Sequence, residues 1–119
     1  MTEAQANLNV RKQGDVTIIQ FEDRKILEEL VINTILERLI ELADAETTPK
    51  FLLDFSKVEH LSSAALGTLI TLNKQLGERD GQLVLANIHP QIYEVFKITR
   101  LNKLFNIQDK TDDGLKQFK

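Results

Sequence analysis

The chain has 119 residues, 42 % of them apolar and 28 % charged, with a net charge of −3 and no cysteine. That is the size of one domain with one core; the scattered Lys and Arg argue against nucleic acid, which needs clustered cations. No apolar run reaches the roughly 20 residues of a membrane span, no secretory signal pattern opens the chain, and without thiols a cytoplasmic domain free of disulfides is the expectation.

Met1 to Asn7 are polar and read as a flexible N-terminus, with the folded domain running over 8–119. LNVRKQ and VTIIQFE flank Gly14-Asp15 and read as two strands of a hairpin, since Gly and Asp supply the turn and Val16, Ile18 and Ile19 the β-branched bulk. Glu22 to Lys25 is a charged connection. From Ile26 to Ala45, Ile32, Ile35, Leu36, Leu39, Ile40 and Ala43 recur at three- and four-residue steps, opposite Glu28, Glu29, Glu37, Arg38 and Glu41. This predicts a helix with one apolar face, ended by Thr47-Thr48-Pro49. FLLDF, Phe51 to Phe55, is short and almost wholly apolar, the mark of a strand covered on both faces. A second helix follows the serine pair Ser62-Ser63, and QLVLAN reads as the next strand. Pro90 suits the first turn of a third helix carrying Ile92, Val95 and Phe96 and ending near Thr99-Arg100. KLFNI reads as a last short strand, and a terminal helix from Thr111 is anchored by Leu115 and Phe118. The order predicts a single α/β domain with a mixed β-sheet of four to five strands and helices packed on it.

The segment HLSSAALGTLITLNK carries the functional signal. Ser62 shares its helix face with Leu66, Leu69, Ile70 and Asn73, which leads into the core, whereas Ser63 shares its face with Gly67, Thr71 and Lys74. Ser62 is therefore the natural N-cap, its hydroxyl accepting from a backbone N–H of the first turn. Ser63, at the first helical position, has no comparable structural task. Gly67 costs roughly 1 kcal/mol of helix propensity against alanine. Either another molecule must approach there, or the glycine lets the helix lie tightly on a strand. Ser62, Ser63, Ala64, Gly67, Thr71 and Lys74 are the candidate docking surface. His60 and His89 have no neighbours at metal-ligand spacing and read as loop or cap residues. Asp23, Glu28 and Glu29 read as a solvated charge run at a helix start. No catalytic triad, cofactor loop or metal cluster is present in the pattern.

LLDFSKVEHLSSAALG and IYEVFKITRLNKLFNI, with the order of elements around them, resemble the STAS domain, the fold of bacterial anti-sigma-factor antagonists. The family's motif, D-S-[ST]-G-L-G at the start of a helix, aligns on Leu66-Gly67; Ser62 then stands where the family has Asp, and Ala65 where it has Gly. The resemblance implies a phosphorylatable serine at Ser63, with Ser62 as the alternative acceptor because Ala64 occupies the second hydroxyl position. It implies a binding module without catalysis or cofactor, whose partner is an anti-sigma factor that is itself a serine kinase with a histidine-kinase-like ATPase fold. A separate phosphatase would reset it. Phosphate on Ser63, with Glu59 adding like charge nearby, is expected to act on association rather than on folding. Two other readings remain at this stage: a STAS scaffold or regulatory subunit of a larger signalling or transport complex, and a phosphoaspartate receiver using Asp54.

Overall fold

Gly14 takes a left-handed backbone, φ +62°, and with Asp15 turns the chain back on itself in the computed structural model, which describes residues 7–118. Strand β1 (Leu8–Gln13) thereby pairs antiparallel with β2 (Val16–Phe21), Val10 opposite Ile19. The expected N-terminal flexibility at residues 1–6 lies outside the described residues. Asn7 is tied down, its carbonyl accepting from the Glu22 N–H at 2.9 Å and its amide donating to Asp23 at 3.0 Å.

The remaining strands add in parallel: β4 (Lys50–Asp54) beside β2, β6 (Gln82–Ala86) beside β4, and β7 (Asn106–Gln108) at the far edge. The five-stranded mixed sheet has the order β1-β2-β4-β6-β7, as the alternation of strands and helices requires. Alternate residues divide its faces. Ile19, Phe21, Phe51, Leu53, Leu83 and Leu85 point to a large core shared with the long helices, while Val16, Ile18, Leu52 and Ala86 form a second, smaller cluster. Helix α1 (Glu29–Asp44) buries Ile32, Ile35, Leu39 and Ala43, and α2 (Ser63–Glu78) buries Leu66, Leu69, Leu72 and Leu76. Helix α3 (Pro90–Ile98), with Pro90 in its first turn, adds Ile92 and Phe96 to the same core. The short α4 (Thr111–Leu115) covers the opposite face, where Leu115 and Phe118 pack on the smaller cluster.

Two boundaries differ from the sequence reading. The helix expected from Ile26 begins at Glu29, because Lys25–Ile26 forms a two-residue strand β3 parallel to β5 (His60–Leu61). The strand expected over KLFNI is shifted: Leu101–Lys103 is a 3-10 turn after Arg100 at φ +64°, and β7 starts only at Asn106. Burial of Phe105 explains the detour, since its ring packs edge-on to Phe96 with centroids 5.9 Å apart.

Gly81 closes the α2–β6 turn where a Cβ would stand 2.5 Å from the Pro49 carbonyl oxygen and 3.0 Å from that of Leu76. Both obstacles are backbone atoms and cannot swing aside. Gly81→Ala is therefore expected to destabilise the domain by about 2 kcal/mol, read as a lower urea midpoint. Gly77→Ala, inside α2 with nothing within 4 Å of its Cβ, is the comparison and is expected to hold or raise the midpoint, since alanine is favoured over glycine in a helix.

Candidate functional site

The start of α2 is pinned by three bonds that all involve Ser62. Its N–H donates to the Ile26 carbonyl at 3.1 Å, fastening the helix to β3; its carbonyl accepts from Leu66 N–H at 3.2 Å; and its hydroxyl accepts from Ala65 N–H at 3.1 Å. Ser62 is the N-cap in extended backbone conformation, φ −83° and ψ 166°, as the sequence suggested. Removing that cap by Ser62→Ala is expected to cost about 1 kcal/mol, whereas Ser63→Ala should stay within about 0.5 kcal/mol of wild type; urea unfolding of the two variants compares them directly.

Ser63 is the first residue of α2 and exposed, and among the described residues its hydroxyl has no hydrogen-bond partner. The N–H groups of Ser63 and Ala64 lie in the first turn, where no intrahelical acceptor exists, and the helix dipole adds a partial positive charge. Below Ser63 the surface is shallow. Gly67, Thr71 and Lys74 are exposed, and a Cβ at Gly67 would meet nothing within 4 Å. Gly67 is thus not there to let the helix press on a strand. The Thr71 hydroxyl donates to the Gly67 carbonyl at 3.1 Å, so it is engaged within its own helix. Ala64 is exposed on the flank and Ser62 is half-buried. Ile70, expected from its spacing on the core-leading face of Ser62, is instead 39 % exposed and borders the bare stripe.

The charges around the site are also placed. Glu59 is held by Arg24, whose Nη2 lies 3.1 Å and Nε 3.3 Å from its two oxygens. These hydrogen bonds hold the Glu59 carboxyl below the usual carboxylate range and raise the guanidinium in turn. Its charge is compensated, so it does not add free negative charge beside Ser63 as expected. His89 caps α3, with Nε2 2.8 Å from the Ser56 carbonyl; a carbonyl only accepts, so Nε2 carries the proton. Asp54 is buried at the end of β4, where it accepts from Ser56 N–H at 2.9 Å, Asn87 at 2.9 Å and Gln20 at 3.3 Å. It closes the loop after β4, and its oxygens are taken up by these donors, unlike those of a receiver's free acceptor. No cluster of metal-ligating side chains and no helix long and apolar enough to cross a membrane occurs among the described residues.

Fold and site together define a class first: a small mixed α/β domain that offers a bare helix start to its surroundings. The chain belongs to the STAS domain family, whose model matches residues 7–114. It is 30 % identical over 70 residues to BtrV of Bordetella bronchiseptica, named as a candidate anti-sigma factor antagonist, covering 59 % of this chain and 60 % of that protein. The match spans about three fifths of that relative's length. An anti-sigma-factor antagonist (STAS) domain protein from Planctomyces limnophilus has the same fold, with a TM-score of 0.81, 22 % identity, and coverage of 94 % of this chain and 97 % of that one. The phosphorylated form of the Bacillus cell fate determinant SpoIIAA aligns with a TM-score of 0.69 and 12 % identity over 92 % of this chain and 97 % of that one. These likenesses agree with the family match in describing a STAS fold over nearly the whole chain.

Sequence reasoning missed the β3–β5 ladder that fastens α2. Two-residue strands have no periodicity to read; the one available signal is the pair of apolar residues, Ile26 and Leu61, each next to a charged or polar neighbour.

Proposed function

We propose that the chain is an anti-sigma-factor antagonist switched by phosphorylation. Unmodified, it binds an anti-sigma factor with serine-kinase activity and so frees the sigma factor; that kinase phosphorylates Ser63, the complex parts, and a phosphatase restores the binding form. On this reading the protein is a substrate and a docking module, acting in the cytoplasm, and Ser62, Ala64, Gly67, Thr71 and Lys74 line the contact around Ser63. The observation that carries it is the division of labour in the serine pair: Ser62 spends its hydroxyl on the cap, and Ser63 leaves its own exposed. The names of BtrV and of phosphorylated SpoIIAA support it.

The physics gives the switch a direction. Phosphate adds about −1.5 to −2 charges at the positive end of a helix, where free N–H groups favour an anion. The fold tolerates the group, so the consequence falls on association. The test is to mix the purified protein with its cognate anti-sigma kinase, first without hydrolysable nucleotide and then with ATP. A complex that forms and then dissolves as phosphate is incorporated supports the reading; absence of a complex in the first step refutes it.

A further inference from the structure

Beside the start of α2 runs an open groove of about 560 Å³ between the β3–β5 ladder and α3. Its apolar lining comes from Leu27, Leu61, Leu66, Ile92 and Val95. Leu27 is 50 % exposed and Val95 41 %, and one turn beyond Val95 the same helix leaves Ile98 78 % exposed. Contiguous exposed apolar surface of this kind marks interaction sites. Lys25, Glu59 and His60 stand on the rim. Glu59 is taken by Arg24, whereas Lys25 has no acidic partner among the described residues. In a chain with a net charge of −3, the groove therefore offers grease and one uncompensated cation.

Resting on the Ser63 reading above, we propose that this groove is the second half of the docking surface, and that it takes an apolar segment of the anti-sigma factor carrying a carboxylate for Lys25. The charge left over on the rim selects the carboxylate. The open shape selects a protein segment, since a small molecule seated in the groove would leave Ile98 in water. The groove adjoins the serine: Leu66 is one turn from Ser63, and Ser62 is bonded to Ile26, the residue between Lys25 and Leu27. A phosphate on Ser63, beside the groove, adds negative charge that disfavours a segment carrying a carboxylate.

The experiment compares binding of the purified cognate anti-sigma kinase, without hydrolysable nucleotide, to wild type, Val95→Asp, Ile98→Asp, Lys25→Gln and Lys25→Glu, with thermal unfolding of each variant as the check on folding. Val95→Asp and Lys25→Glu are each expected to weaken binding about tenfold or more. Lys25→Gln is expected to flatten its dependence on salt. Ile98→Asp, at the exposed end of α3 that the segment also covers, is expected to weaken binding in the same direction and carries the test if Val95→Asp folds poorly. If the kinase is lost on Ser63→Asp but indifferent to the groove and Lys25 variants, this inference falls and the Ser63 reading stands. If the kinase does not bind wild type, both fall. Nuclear magnetic resonance shifts at Leu27, Leu61 and Val95 on adding decanoate, with none on adding the kinase, would mark a small-molecule site and also overturn it.

Discussion

Ser63→Asp is expected to weaken binding of the cognate anti-sigma kinase by about a hundredfold while moving the thermal midpoint by less than about 3 °C. Two features separate these effects. The side chain at Ser63 makes no bond to the rest of the domain that its replacement could break, and a carboxylate at the first helical position sits favourably on the dipole. Against that, the same charge stands at the head of the bare stripe formed by Gly67, Thr71 and Lys74, where an approaching surface would have to desolvate it unpaired. Ser63→Ala should bind as wild type does and resist the switch. Calorimetric titration of the three proteins, with circular-dichroism melting alongside, measures both quantities.

Asp54→Ala is expected to cost about 3 kcal/mol of stability. The carboxylate is 7 % exposed and joins three segments: the loop after β4 through Ser56 N–H, the end of β6 through Asn87, and β2 through Gln20. Asn87 is itself held in a left-handed backbone, φ +60°, and passes a second bond to the Thr111 hydroxyl at 2.8 Å. Losing Asp54 strands these donors in a half-buried place and loosens α4 with them. Asp54→Asn should fall between, because its oxygen keeps part of the set while its NH2 faces other donors. Urea unfolding reads the order wild type, Asn, Ala; equal stability of all three would show that the carboxylate is dispensable.

Where burial was one-sided or complete over several residues, the sequence was legible. The α1 stripe Ile32, Ile35, Leu39 and Ala43, and the run FLLDF, each impose a period that a single chain displays openly. The division of roles between Ser62 and Ser63 was readable for the same reason, since helical geometry fixes which of two neighbours faces the core. What escaped was set by tertiary pairing. Ile26 fits a helical period but is drawn into a ladder with Leu61, and Phe105 pulls the chain into a 3-10 turn to reach Phe96. The bond between Arg24 and Glu59 spans distant residues, so no local pattern could reveal that the acid beside the serines is compensated. The groove depends on α3 and β3 meeting α2, and it too became visible only in three dimensions.

Locating the phosphate tests the account most directly. The protein is incubated with its cognate kinase and ATP, and the peptide containing the serine pair is sequenced by tandem mass spectrometry. Modification is expected at Ser63 with Ser62 untouched, because the Ser62 hydroxyl is committed to Ala65 N–H; phosphate on Ser62, or on neither serine, would overturn the switch at Ser63.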